Sequence, residues 1–111
     1  MPGSRTGLER PKLDAADFVQ RICELAGFDV ERLASRTRDP ATADARKLVA
    51  TLGVERWRQN RTALAGVLNK NPDVVSVWAG EGARRRQEDA TYAGKLDELD
   101  ERLSASLTRM T

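Results

Sequence analysis

The sequence predicts an all-α fold, on three observations. Apolar residues recur at spacings of three and four in successive segments. No segment shows sustained period-two alternation bounded by hairpin turns. Residues suited to capping helices stand where each apolar stripe begins or ends. At 111 residues, 40% of them apolar, the chain suits a single domain with a modest core.

Residues 1–13 contain two of the four prolines and few apolar side chains, which predicts a flexible lead-in to one helical domain over 14–111. Asp14 is suited to N-cap the first helix, with Asp17 at N3 where its charge matches the helix dipole. Phe18, Ile22 and Leu25 form its apolar stripe, and Gly27 follows as a left-handed terminator. Asp29 can cap a short second helix whose inward residues are Val30 and Leu33. The polar, basic stretch SRTRD (35–39) reads as a loop. Pro40 can open a third helix at N1, with Ala45, Leu48, Val49 and Leu52 on one face. Gly53 is expected to end it, and Trp57 to pack the following connection onto the core.

Residues 61–80, RTALAGVLNKNPDVVSVWAG, meet the requirements of a helix-turn-helix. Leu64, Ala65 and Leu68 supply the apolar face, Ala65 being the small residue at the close approach. Asn69 tolerates the positive φ that the turn needs. Asn71 can cap the second helix and Pro72 can occupy its N1, while Val75 and Trp78 face inward. That leaves Asp73, Ser76 and Val77 on the outer face of a recognition helix over about 71–79. A plain αα-corner uses the same periodicity and is the alternative. Lys70 is charged where such turns often carry an apolar plug.

Gly80 and Gly82 are expected to break this helix from a long C-terminal one over about 83–108. There Tyr92, Leu96, Leu99 and Leu103 form a stripe, with Met110 in phase. The stripe either packs on its own domain, the favoured reading, or pairs a homodimer as a short coiled coil. Asp97, Glu98, Asp100 and Glu101 are expected on its acidic outer face.

Composition narrows the function. The chain has no histidine, hence no imidazole base for a Ser, Cys or metal mechanism, and is not expected to be an enzyme. Cys23 is alone, so neither a disulfide framework nor a zinc site is expected, nor any cofactor. It falls on an apolar helix face, as a buried thiol would. No apolar run approaches the ~18 residues of a membrane span, and the first residues lack a secretory signal's apolar stretch. The net charge of +2 conceals segregation: −2 over 1–31, +7 over 32–86 and −3 over 87–111. Arginine supplies fifteen of the nineteen basic residues, and its planar fork suits phosphate and guanine. A basic middle between acidic ends suggests one surface facing a polyanion.

The ordered features of residues 14–86 carry a family resemblance. ICELAGFDVERL, the loop SRTRD, the helix ADARKLVATL, the segment LAGVLNKNPDVVSVW and the run GARRR follow one another as in a Trp-repressor-like helix-turn-helix domain. About two thirds of the chain thus resembles the C-terminal DNA-binding domain of the bacterial replication initiator DnaA. It is still more similar to the related domain of REP-associated tyrosine transposases. The resemblance implies binding to double-stranded or hairpin DNA, on the nucleoid in a bacterial cytoplasm. It implies that Arg36 or Arg38 reaches phosphates or the minor groove. It aligns Arg46 with an arginine that either touches DNA or stabilises the loop. It implies too that the helix from Asn71 enters the major groove. NPDVV at 71–75 departs from the initiator's histidine- and hydroxyl-bearing run, so recognition of its box does not carry over. Transposase chemistry is not carried over either: the histidine pair is absent, and Tyr92, the single tyrosine, lies in the leucine stripe. Nor is there a G-x-x-x-x-G-K-S/T loop for an ATPase.

On this reading Arg36, Arg38, Arg61, Lys70, Arg84, Arg85 and Arg86 are candidates to neutralise phosphates. Asn71 either reads an adenine edge or serves only as the cap. Asp73 either accepts from a cytosine amino group or complements the helix dipole. Ser76 and Val77 can reach a base or a thymine methyl, or are ordinary surface residues. The competing function is a helical adaptor that recruits a protein through the leucine stripe.

Overall fold

The computed structural model describes residues 12–109. Among them the chain forms six α-helices and no strand: α1 (Ala15–Ala26), α2 (Val30–Ala34), α3 (Pro40–Arg56), α4 (Arg61–Leu68), α5 (Pro72–Glu88) and α6 (Ala90–Arg109). The fold is all-α. Most of the expected lead-in, and Met110, lie outside the described residues; Leu13 is tied to the core region by Gln59 Nε2, which donates to its carbonyl at 2.8 Å.

Local chemistry sets most helix ends. Asp14 caps α1 by accepting from Asp17 N at 2.8 Å, and Gly27 closes it at φ 78°. Asp29 caps α2, Asp39 caps α3 and Asn60 caps α4. Thr42 donates to Asp39 from both backbone and hydroxyl, and Arg32 adds a further bond, so the Asp39 carboxyl is held below its ordinary pKa. Asn69 takes the left-handed conformation at φ 57°, as expected of it. Arg58, in the connection after α3, also has positive φ (52°), which nothing in the local sequence signalled.

α3 is the central helix. Thr42, Ala45, Arg46, Leu48 and every residue from Val49 to Gly53 are buried, so it is enclosed on most of its circumference. Phe18, Val19 and Ile22 of α1, Leu33 of α2, Leu64 and Leu68 of α4 and Val75 of α5 join the same core. Phe18 lies 6.1 Å from Trp57, ring centre to ring centre, and Trp57 is buried as expected.

Glycine inside a helix can serve packing instead of punctuation, as Gly53 and Gly82 do. Gly53 does not end α3, which runs on to Arg56. A Cβ on Gly53 would lie 2.9 Å from Phe18 Cε2 and 3.1 Å from Leu64 Cδ1, so its bareness admits those two side chains. Gly80 and Gly82 do not break α5, which continues to Glu88. Gly82 is buried against Thr51 of the antiparallel α3, where a Cβ would overlap the Thr51 side chain. The C-terminal helix therefore starts at Ala90 and not near Ala83. The break falls at Asp89, whose backbone is extended (φ −130°, ψ 104°) and whose carboxylate accepts from Thr91 N and Tyr92 N. An aspartate that caps the next helix competes with continuation of the one before it.

Tyr92, Leu96, Leu99 and Leu103 are buried in the chain's own core, so the stripe on α6 is not a free dimer seam. Asp100 is a correction: it is buried and not on the acidic outer face. It lies four residues after Leu96 and three before Leu103, on the stripe itself, and accepts from Trp57 Nε1 at 2.9 Å and Arg56 Nη1 at 3.1 Å. Arg56 also pairs with Asp97 at 2.7 Å. Burial opposes the Arg56 charge, but the two carboxylates outweigh it and raise its pKa. Asp100→Ala should cost about 2 kcal/mol by leaving the buried indole N–H without that acceptor. Asp100→Asn, which keeps an acceptor, should cost less; urea unfolding of both variants measures the difference.

Candidate nucleic-acid interface

The proposed interface is built from loop 35–39, the turn 69–71 and α5. α4 ends at Leu68 and α5 starts at Pro72, which leaves the short connection that a helix-turn-helix requires. Asn71 caps α5, its side chain accepting from Asp73 N at 2.9 Å, and Pro72 occupies the first turn where its missing N–H is harmless. That cap occupies the Asn71 side-chain oxygen, which settles its structural role.

α5 turns Val75, Ala79 and Gly82 inward. Asp73, Ser76, Val77, Gly80 and Arg84 recur at helical spacing on the opposite side, and all five are exposed. Because α5 is unbroken, Arg84 belongs to the same face as Asp73 and Val77. The sequence alone places it on a different helix. Val74 and Val77 are the large apolar side chains exposed among the described residues, Val77 at 55%. Trp78 is half-buried against the core.

The arginines divide into free and engaged. Arg36 and Arg38 on the loop, Arg61 at the start of α4, and Arg84 and Arg86 on α5 are all exposed. None of these five forms an ion pair among the described residues. Arg61 carries its charge at a helix N-terminus, the end where the dipole disfavours a cation, so helix stability does not explain it. Arg85 is engaged: it lies 3.8 Å from Asp44 and 3.6 Å from Asp89, and stacks 4.4 Å over the Tyr92 ring. It fastens the end of α5 to α3 and α6.

Arg46 does not belong to an exposed interface. It is buried, and its guanidinium donates to four backbone carbonyls: Leu33 at 2.8 Å, Thr37 at 2.7 Å, Ser35 at 2.8 Å and Arg32 at 3.2 Å. Carbonyls at the C-terminus of a helix lack intrahelical partners and carry partial negative charge. Arg46 satisfies them for α2 and folds the loop around itself. Of the two roles open to it, loop support is the one its geometry allows.

Lys70 is half-buried, and its ammonium donates to Ser35 O at 2.7 Å, Leu68 O at 3.2 Å and Asn69 O at 3.5 Å. Burial lowers its pKa, and the neighbouring Arg46 and Arg36 charges lower it further. Asn69 Nδ2 reaches Ala34 O at 3.4 Å, so the turn meets the exit of α2 at two points. Sequence reasoning placed Lys70 near the interface but missed this contact, since Ser35 lies thirty-five residues away.

Cys23 is buried among apolar neighbours. Its thiol pKa is pushed up to about 11, by burial first and by Asp29 and Glu24 second, so it is a poor nucleophile. No helix among the described residues is long and apolar enough to cross a membrane. Compared with protein-family models, curated proteins and solved structures, the chain matches none of them.

Proposed function

We propose that this chain is a double-stranded DNA-binding module, with α5 in the major groove and the loop arginines on phosphates or in the minor groove. The observation that carries this reading is the exposed face of α5. Asp73, Ser76, Val77, Gly80 and Arg84 line it, with exposed arginines on the adjoining loop. An exposed face bearing an acceptor, a hydroxyl, an apolar group and a guanidinium offers the groups that read base edges. Asp73 accepts from a cytosine amino group, Val77 packs on a thymine methyl, and Arg36, Arg38, Arg61 and Arg86 neutralise phosphates. The resemblance to the DNA-binding domains of DnaA and of REP-associated transposases supplies the template. The chain acts by binding and not by catalysis. The leucine stripe that the adaptor alternative would use is buried in the chain's own core, which favours the DNA-binding reading.

Binding to random duplex and to hairpin DNA across a salt series tests the proposal. Affinity should fall steeply and linearly in log–log form as counterion release weakens. Arg38→Ala should weaken binding to every duplex and lower the slope by about one. Asp73→Ala should mainly change the sequences recovered from a random oligonucleotide pool. No binding at low salt would sink the proposal.

A further inference from the structure

We propose that Lys70 is a positioning residue that locks loop 35–39 to the turn before α5, so that the loop arginines and α5 meet DNA as one rigid surface. This rests on the DNA-binding reading above.

An ammonium has three N–H donors. In Lys70 they face Ser35 O, Leu68 O and Asn69 O, and so leave none for a phosphate. Two of those carbonyls stand at the end of α4, and the third belongs to the loop. One charge therefore joins elements far apart in sequence. The Ser35 carbonyl receives Lys70 at 2.7 Å and Arg46 Nη2 at 2.8 Å, two cations on one oxygen. Such a pair works against itself electrostatically: burial first, and then the neighbouring Arg46 and Arg36 charges, lower the Lys70 pKa. An apolar plug would fill the turn without that repulsion, but it would bind no loop carbonyl. What the lysine adds is a fixed distance between the turn and residues 35–38. Among the described residues Arg36 and Arg38 form no ion pair, so the loop backbone sets their position. Positioning before binding spares the ordering entropy that a mobile loop would lose on the duplex.

Lys70→Met keeps the apolar stem and removes the ammonium. Salt slopes for duplex binding should be compared in the wild-type background and in an R36A/R38A background. If Lys70 positions the loop, K70M weakens duplex binding several-fold in the wild-type background with the slope little changed, because the arginines still reach the phosphates but must first be ordered, and it changes nothing further in R36A/R38A. If Lys70 touches a phosphate itself, K70M lowers the slope by about one in both backgrounds, and the proposal is overturned. Amide exchange in the free protein is a readout independent of DNA. K70M should speed exchange at Ser35 and Thr37, whose N–H groups are bonded within the loop region at 3.2 and 3.1 Å, and leave α5 unchanged. Unaltered exchange there overturns the lock. Failure of the wild-type chain to bind any duplex removes the DNA reading instead, and the exchange result stands apart from it.

Discussion

Gly82→Ala should destabilise the protein by at least about 2 kcal/mol, although alanine is the better helix former by about 1 kcal/mol. Gly82 lies inside α5 where that helix crosses α3, and the added methyl would occupy the space of Thr51 Oγ1. It would also stand 2.7 Å from Thr51 Cβ and 2.9 Å from Thr51 Cγ2. Thr51 cannot simply turn away. It is buried, and its hydroxyl donates to Lys47 O at 2.7 Å, with Trp78 O of α5 at 3.4 Å. The two backbones must separate, which opens the core around Val49, Leu52 and Val75. Thr51→Ala, which removes two of the three crowding atoms, should restore part of the loss. Gly94→Ala is the control: a Cβ there meets nothing within 4 Å, so helix propensity alone should stabilise α6 by up to about 1 kcal/mol. Urea unfolding of Gly82→Ala, of Gly82→Ala combined with Thr51→Ala, and of Gly94→Ala, with matched m-values, checks the order. A neutral Gly82→Ala would mean that α3 and α5 do not approach as described.

Arg46→Ala should cost about 3 kcal/mol or more. Among the described residues the buried charge has no carboxylate partner and is held by the carbonyls of Arg32, Leu33, Ser35 and Thr37. Hydrogen bonds from a charged donor contribute about 1.5–3 kcal/mol each, and their loss exposes buried acceptors to no compensating partner. The effect is uneven along the loop. Ser35 O retains Lys70, and Arg32 O retains the Ser35 N–H and hydroxyl, whereas Leu33 O and Thr37 O lose the side-chain donor that holds them. Arg46→Lys should recover less than half, because one ammonium cannot reach the carbonyls that a planar guanidinium spans. Chemical denaturation measures the stability. A change below about 1 kcal/mol for Arg46→Ala would contradict the buried geometry.

Features set by neighbours in the chain were legible in the sequence. Asp14, Asp29 and Asn71 cap the helices expected of them, and Gly27 and Asn69 adopt left-handed backbone as expected. These depend on a side chain reaching an N–H two or three residues away, or on the cost of positive φ. The apolar stripes of α1, α3 and α6 were legible for the same reason, since helical periodicity is a property of spacing. Gly53 and Gly82 mislead because a glycine's meaning depends on what faces it, and the exposed Gly80, with open space beside it, because a lone glycine does not by itself end a helix. A signal for the true break was present at Asp89, an aspartate two residues before Thr91, and the glycines masked it. Asp100 carried a signal too: its spacing from Leu96 and Leu103 puts it on the buried stripe.

The sequence by itself determined an all-α chain, the order of its helices, the N-caps of α1, α2 and α5 and the outward face of the first turns of α5. Its arginine-rich middle also located the surface on which DNA binding is proposed. Only the tertiary structure decided which charges remain available there. Arg36, Arg38, Arg61, Arg84 and Arg86 are exposed, whereas Arg46 and Lys70 are committed to backbone carbonyls, and Arg85 to Asp44, Asp89 and Tyr92. A local pattern records the type of a side chain and its helical phase. Whether its charge meets water or a carbonyl eleven to thirty-five residues away depends on how the helices cross.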